Sequence, residues 1–179
     1  MNALLNLSKF IDSASEKLSR IGTFCVLAAA FVSAANAIVR YGFDISSNAW
    51  LEIQWYFFAA TVMLGAPYVL QLNEHVRVDL IYSKLSPKAA ARLDLMGLFL
   101  FLFPVMGFMA WLSWPLFLKM FLSGELSANA GGLVRWPAML LLPLGFAWMC
   151  LQGLSEVIKR IAFLAGHAEL DLHYEKPMQ

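Results

Sequence analysis

The chain contains four long apolar stretches, and no ionisable residue lies in the middle of any of them. They run from Ile21 to Val39, Ile53 to Leu72, Leu93 to Leu118 and Trp136 to Leu154. Each is long enough to cross the roughly 30 Å hydrocarbon core of a bilayer as a helix. The pattern therefore predicts a polytopic membrane protein.

The absence of charge at mid-span limits what such a chain does by itself. Ion- and proton-coupled carriers keep ionisable residues at mid-membrane, where burying a charge is costly and usually functional. Here Glu52 and Asp94 lie at predicted helix starts, and Arg40 and Lys119 lie at predicted helix ends. We therefore expect a scaffold or partner subunit of a membrane complex, in which other chains carry out the transport or catalysis.

Composition supports one membrane domain and leaves no room for a separate soluble one. Of the 179 residues, 60% are hydrophobic and 14% are charged, whereas soluble domains carry about 25% charged residues. We predict an all-α membrane protein, a single domain over residues 1–179. Its predicted parts are an interfacial helix (2–20), spans at about 21–40, 52–72, 92–118 and 135–158, and a cytoplasmic tail (159–179).

The first twenty residues predict an amphipathic helix rather than a cleavable signal, because Asp12, Glu16 and Lys17 interrupt any apolar core before Ile21. Apolar residues recur there every three or four positions. They are Leu4, Leu7, Ile11, Ala14, Leu18 and Ile21. One apolar stripe suits a helix that lies flat at the bilayer interface before the first span. The alternative is a partly frayed cytoplasmic extension.

Basic residues predict the orientation. Ten of the 13 Lys and Arg residues fall in the N-terminal segment, the second connection or the tail. Arg40, Lys119 and Arg135 fall on the other side. The positive-inside rule therefore places both termini in the cytoplasm. Tyr and Trp residues concentrate near the ends assigned to the outside, as expected at the headgroup level.

Glu52 is the most conspicuous carboxylate near a predicted span. As a first-turn residue it would interact favourably with the positive end of the helix dipole. Pairing with a partner subunit, with Arg40 or with Arg135 is the alternative. On the outer side, the loops 41–49 and 119–135 are the sizeable surfaces that a partner would touch.

The sequence carries no signal for an enzyme or a cofactor site. Its histidines, His75, His167 and His173, lie outside the predicted spans, whereas a membrane haem needs facing histidines within spans. Metal-binding and phosphate-binding motifs are absent from the sequence. The net charge of +1 argues against nucleic acid as a partner. We predict no catalytic residue, no metal site and no cofactor.

A polar run follows the second span, from Asn73 to Leu80, and includes His75, Arg77 and Asp79. Taken alone, it reads as a solvated interfacial turn. With the preceding Gly65-Ala66 step, however, His75-Val76-Arg77-Val78-Asp79 resembles a motif of the small permease subunit of tripartite ATP-independent periplasmic (TRAP) transporters, the DctQ family.

Two further segments are similar to that family. Arg40-Tyr41-Gly42-Phe43 followed by Trp50-Leu51-Glu52 resembles its connection between the first two spans, and Pro143-Leu144-Gly145 resembles a step in its fourth helix. The resemblance covers about residues 35–159. The chain departs from it at Gln54, where many relatives carry a second acid, so the resemblance does not extend to a role that needs two carboxylates there.

The resemblance implies a bacterial inner-membrane subunit that pairs with a large permease subunit, which carries substrate and sodium by an elevator-like motion. A periplasmic solute-binding protein would deliver the solute, mostly organic acids in this family. The small subunit would brace the scaffold within the membrane lipids and add outer surface for docking. Arg40, Glu52, His75, Arg77 and Asp79 are then candidates for contact with the large subunit or for structural roles.

The outer loops suggest residues that dock the binding protein. We hypothesise that Asp44, Glu125 and Arg135 contribute to this contact. Two other functions remain open from the residues alone. One is the membrane anchor of a redox complex, which predicts a bound haem or quinone. The other is a small four-helix exporter that forms its own dimer, for which a mid-span acid in the first helix is expected and is absent.

Overall fold

The computed structural model of the chain describes residues 1–45, 47–73 and 85–167, and these residues form four long helices. They are α1 (Asn2–Phe43), α2 (Asn48–Leu72), α3 (Pro87–Ser123) and α4 (Trp136–Leu164). All four are long and apolar enough to cross a membrane. The predictions of an all-helical fold and of four candidate spans are therefore confirmed. The cytoplasmic placement of both termini stays a prediction.

Helix α1 joins the predicted interfacial segment to the first span. It runs from Asn2 to Phe43 without a break at residue 20, so the boundary expected there does not separate two helices. At about 1.5 Å per residue this helix is about 60 Å long, twice the thickness of the hydrocarbon core. The placement of residues 2–20 at the bilayer interface stays a prediction.

The N-terminal half of α1 buries two serines and leaves both apolar and charged side chains exposed. Ser8 and Ser15 are buried, together with Ile11. Leu4 and Phe10, by contrast, are 50% and 69% exposed. In water this arrangement would be unfavourable, but lipid solvates apolar side chains, and buried hydroxyls bond to other helices.

Helix α3 changes its winding in the middle. Ser86 begins it by accepting a hydrogen bond from the Ala89 amide at 3.4 Å, and Pro87 occupies the first position, where its missing N–H costs nothing. A π-helical turn at Leu98–Leu102 then precedes Pro104. Because a proline ring clashes with the carbonyl four residues earlier, a wider turn at this point accommodates it.

Helix α4 is central, since α1, α2 and α3 all pack on it. Two of its glycines permit the close approach. A Cβ atom at Gly145 would lie 2.7 Å from the Cβ atom of Met63 in α2. A Cβ atom at Gly153 would lie 2.7 Å from Leu102 Cδ2 at the π-helical turn of α3. Close backbone approach at small residues is how helices gain dispersion energy in lipid.

A chain of five alternating charges joins three helices near the C-terminal end of α4. Asp94 of α3 accepts from Arg160 Nε at 2.9 Å, and Arg160 also pairs with Glu156. Glu156 pairs with Lys159, whose ammonium group lies 3.1 Å from Asp12 of α1. Side chains of Asp94, Glu156 and Arg160 are at most 6% exposed. We call these five residues the inner cluster, after the side of the membrane predicted for them.

Neutral hydrogen bonds extend the inner cluster along α1 and α4. Ser155 donates to Asp12 Oδ1 at 2.7 Å, and Gln152 donates to the same oxygen at 2.8 Å. Ser15 donates to Gln152 Oε1 at 2.6 Å and accepts from the Trp148 indole at 3.0 Å. These bonds satisfy buried polar groups and fix α1 against α4.

Replacing Arg160 by Met is expected to destabilise the protein by about 3–5 kcal/mol, because it leaves the buried carboxylates of Asp94 and Glu156 without their shared cation. The free energy of unfolding, measured by titration with a denaturing detergent, checks this value. Arg20→Met is the matched control. It removes a cation from the exposed pair with Glu16 and is expected to cost less than about 1 kcal/mol. Equal losses in both variants would contradict the prediction.

Candidate functional site

Helix α2 begins four residues earlier than the predicted span. Ser47, in an extended conformation, accepts a hydrogen bond from the Ala49 amide at 3.3 Å and so starts the helix at Asn48. Glu52 therefore lies in the second turn, and the first turn contains no acidic residue. The prediction that Glu52 acts as a first-turn residue on the helix dipole is wrong, because Ser47 supplies the cap.

Glu52 instead binds the loop between α3 and α4. Its Oε2 atom accepts from the Leu133 amide at 2.7 Å, and its Oε1 atom accepts from Asn129 Nδ2 at 2.8 Å and from the Ser127 hydroxyl. The residue is only 3% exposed. Three donors from one loop converge on this carboxylate, and hydrogen bonds to a charged acceptor are the stronger ones.

Two neighbours of Glu52 on α2 bind the same loop. Asn48 donates to the Ala130 carbonyl at 2.9 Å, and the Tyr56 hydroxyl donates to the Val134 carbonyl. Residues four positions apart share one face of a helix, so Asn48, Glu52 and Tyr56 form a polar row along the N-terminal end of α2.

The loop itself is a small hairpin, residues 125–135, which we call the outer hairpin after the side of the membrane predicted for it. Leu126 and Val134 form an antiparallel bridge. The Ser127 amide donates to the Leu133 carbonyl at 2.9 Å, and the Arg135 amide donates to the Glu125 carbonyl at 3.0 Å. The side chains of Glu125 and Arg135 also pair, at 2.6 Å. These contacts close the base of the hairpin, while Glu52 holds its tip.

Glycines at the tip allow the hairpin to fold over the Glu52 carboxylate. Gly131 has a φ of +69°, a conformation that glycine adopts at no steric cost. A Cβ atom at Gly132 would lie 2.6 Å from the Ser127 Cβ atom and 2.9 Å from Glu52 Oε1. Any side chain at residue 132 would therefore push the hairpin away from Glu52.

The structure brings some of the predicted site residues together and not others. Glu125 and Arg135 form the pair described above. Arg40 lies exposed in the last turn of α1, and Asp44 follows it as an exposed, left-handed cap. Within the described residues, none of the hydrogen bonds of Glu52 involves Arg40. The remaining candidates, His75, Arg77 and Asp79, lie outside the described residues.

The bonds that Glu52 and its two neighbours in the polar row make to the loop were not predicted from the sequence. Asn48 and Tyr56 carried a usable signal, because their four-residue spacing from Glu52 predicts a polar row on one helix face. Ser127 and Asn129 carried none, since they lie at least 75 residues from Glu52 in the chain. Only the packing of α4 beside α2 brings the hairpin to the carboxylate.

The role of this site is structural rather than catalytic. Glu52 is surrounded by hydrogen-bond donors, and this arrangement fixes a loop. Among the described residues, no group of three His, Cys, Asp or Glu side chains is placed to hold a metal ion. The site therefore presents a fixed surface at the N-terminal end of α2.

Comparison with known proteins identifies one family. The family profile described as "Tripartite ATP-independent periplasmic transporters, DctQ component" matches residues 29–163. This range covers most of the chain, from the second half of α1 to the last turn of α4. No curated protein and no solved structure matched the chain.

Glu52→Gln is expected to loosen the outer hairpin, because an amide keeps the size of the side chain but loses one acceptor oxygen and the charge. Hydrogen exchange at the Leu133 amide should accelerate about tenfold or more, given about 1.5–3 kcal/mol for a bond to a charged group. Exchange measured by mass spectrometry on hairpin peptides checks this. Glu125→Gln, which breaks an exposed pair, is the control and should have little effect. Unchanged exchange in Glu52→Gln would contradict the role.

Proposed function

The chain belongs to the DctQ family, the small membrane component of tripartite ATP-independent periplasmic transporters, and we propose that it braces the scaffold of a large permease subunit. Family membership over residues 29–163 is the observation that carries this proposal. The absence of ionisable residues at mid-span supports it, since a carrier of ions would need them. The organisation as one membrane domain, residues 1–179, belongs to the same proposal.

Exposed apolar surface supports a subunit that works inside a larger assembly. In the most apolar part of α3, only 6% of the residues are buried within the chain. Such a helix needs membrane lipids or another subunit around it. We place the protein in the bacterial inner membrane with both termini in the cytoplasm, in agreement with the distribution of Lys and Arg.

The outer hairpin supports a role in docking the periplasmic solute-binding protein. Its backbone is fixed by Glu52 and by its own bridge, so little conformational entropy is lost when a partner binds it. Glu125 and Arg135 stand at its base with side chains 36% and 42% exposed. With Asp44 at the end of α1, they form the charged outer surface that we assign to docking.

Transport itself belongs to the large subunit in this proposal. The small subunit contributes no substrate site, no cofactor and no catalytic residue. Coupling of organic acid uptake to sodium would take place in the large subunit after the binding protein delivers the solute. Membership in a family of transporter components agrees with a protein that is not an enzyme.

Recovery of the complex tests the bracing role. A mild-detergent pull-down of the tagged protein from its native membrane should yield a large multi-span permease in near-equal amount. Proteoliposomes that contain only the small subunit should take up no organic acid, whereas all three components should take it up in a sodium-dependent way. Robust uptake by the small subunit alone, or recovery with redox subunits, would overturn the proposal.

Charge reversal tests the docking surface. Asp44→Lys and Arg135→Glu should each weaken binding of the solute-binding protein several-fold, and the loss should shrink as salt is added, because salt screens exposed charges. Affinity measured on the purified membrane complex checks this. Lys88→Glu, a reversal at the predicted cytoplasmic end of α3, is the control. Equal affinities for all three variants would count against the docking role.

A further inference from the structure

The outward face of α1 carries charged side chains over two turns of the helix. Arg20 donates to Glu16 at 2.6 Å, and their side chains are 76% and 44% exposed. Lys17 lies beside this pair and is also exposed. On the opposite side of the same turns, Ser15 and Gly22 are buried against other helices. These charges therefore point away from the rest of the chain.

Contacts with α4 give the depth of this face. Ser15 is hydrogen-bonded to Gln152 at 2.6 Å and to the Trp148 indole at 3.0 Å. Measured from Trp136, where α4 begins, Trp148 and Gln152 are about 18 and 24 Å along the helix axis. The hydrocarbon core is about 30 Å thick. With Trp136 at the outer boundary, Ser15 lies in the inner half of the core.

Contacts with α2 give the position of Gly22, which lies seven residues, or about 10 Å, further along α1 than Ser15. The Thr61 hydroxyl donates to the Gly22 carbonyl at 3.1 Å, and Thr61 is about 20 Å along α2 from its first residue, Asn48. Residues 15–22 of α1 therefore run from the inner half of the core towards its middle, deeper than the interfacial placement predicted for residues 2–20. The inner boundary falls near Asp12, which pairs with Lys159.

Lipid acyl chains are an unfavourable environment for this charged face of α1. Acyl chains offer no hydrogen bonds, and charged side chains at membrane depth almost always face protein or water. The pair of Arg20 and Glu16 is neutral as a unit, but Lys17 leaves the face with a net charge of +1. The face thus calls for a polar neighbour that supplies acceptor groups or a carboxylate.

A groove between α1 and α2 runs next to these charges. Its lining includes the hydroxyl-bearing residues Ser19, Thr23 and Thr61, together with Gly65 and Ala66. Ser19 and Thr23 belong to the same turns of α1 as the charged residues. The rest of its lining is apolar and includes Val26, Leu27, Val62 and Val69, and its small residues permit the close approach of another helix.

We propose that the face of α1 formed by Glu16, Lys17 and Arg20, with the adjoining α1–α2 groove, receives a membrane helix of the large permease subunit. This helix carries a carboxylate or free acceptor groups opposite Lys17 and Arg20. The inference rests on the proposed function, because the large subunit is the partner that a bracing role requires. It adds which surface of the small subunit makes the contact.

Site-specific photo-crosslinking in the native membrane tests the contact. A benzophenone amino acid replaces Phe24, which is 69% exposed on this face, and, as a control of equal exposure, Phe101 on α3. Crosslinks from residue 24 to the large subunit are expected. If the intact complex is recovered but residue 24 forms only lipid adducts, the inference is overturned and the bracing role stands. If no complex is recovered even from the unmodified protein, the bracing role itself fails.

Charge removal gives a second, independent readout. Arg20→Met should leave the thermal unfolding midpoint of the isolated chain unchanged, since the pair with Glu16 is exposed. Recovery of the complex should fall several-fold, and Arg20→Lys should restore part of it. Lys119→Met, at the other end of the membrane, is the matched control and should leave recovery unchanged. Because Met is easier to insert into lipid than Arg, poor insertion cannot explain a loss. Full recovery with Arg20→Met would overturn the charge contact.

Discussion

Helices in hydrocarbon gain little by burying apolar side chains against one another, because lipid tails solvate those side chains equally well. Four apolar helices are therefore held in one arrangement by polar contacts and by close backbone approach. This protein has both. The inner cluster ties α1 and α3 to α4 near one membrane boundary, and Glu52 ties the outer hairpin to α2 near the other. Between them, Gly145 and Gly153 let α4 approach its neighbours.

The two polar sites differ in chemistry because one joins helices and the other fixes a loop. At the inner cluster, charges of alternating sign lie within ion-pair distance of one another, and these pairs offset the cost of burying side chains that are only about 5% exposed. At Glu52, a single carboxylate is matched by neutral donors from a loop. The first arrangement joins helices that are far apart in sequence. The second fixes a loop that helices alone would leave free.

Both arrangements suit a static partner within a transporter. A subunit that braces a moving carrier must keep its shape while its neighbour changes, and polar networks with every member bonded favour one arrangement over alternatives. The outer hairpin would then give the binding protein a fixed target. The charged face of α1, which no part of the described chain covers, would meet the large subunit.

By itself, the sequence determined the class of fold, the four spans, the family and the absence of mid-span charge, because each depends on local composition, periodicity or a short motif. It also singled out Glu52. Tertiary structure decided what Glu52 does, since the donors Ser127, Asn129 and Leu133 come from a distant loop. It also placed Lys159 and Arg160 in a network of ion pairs between helices. In the sequence, these two residues are only positive charges that help to predict the orientation. Side chains pair across helices only after packing sets their register, and packing in lipid depends on contacts that no local pattern encodes.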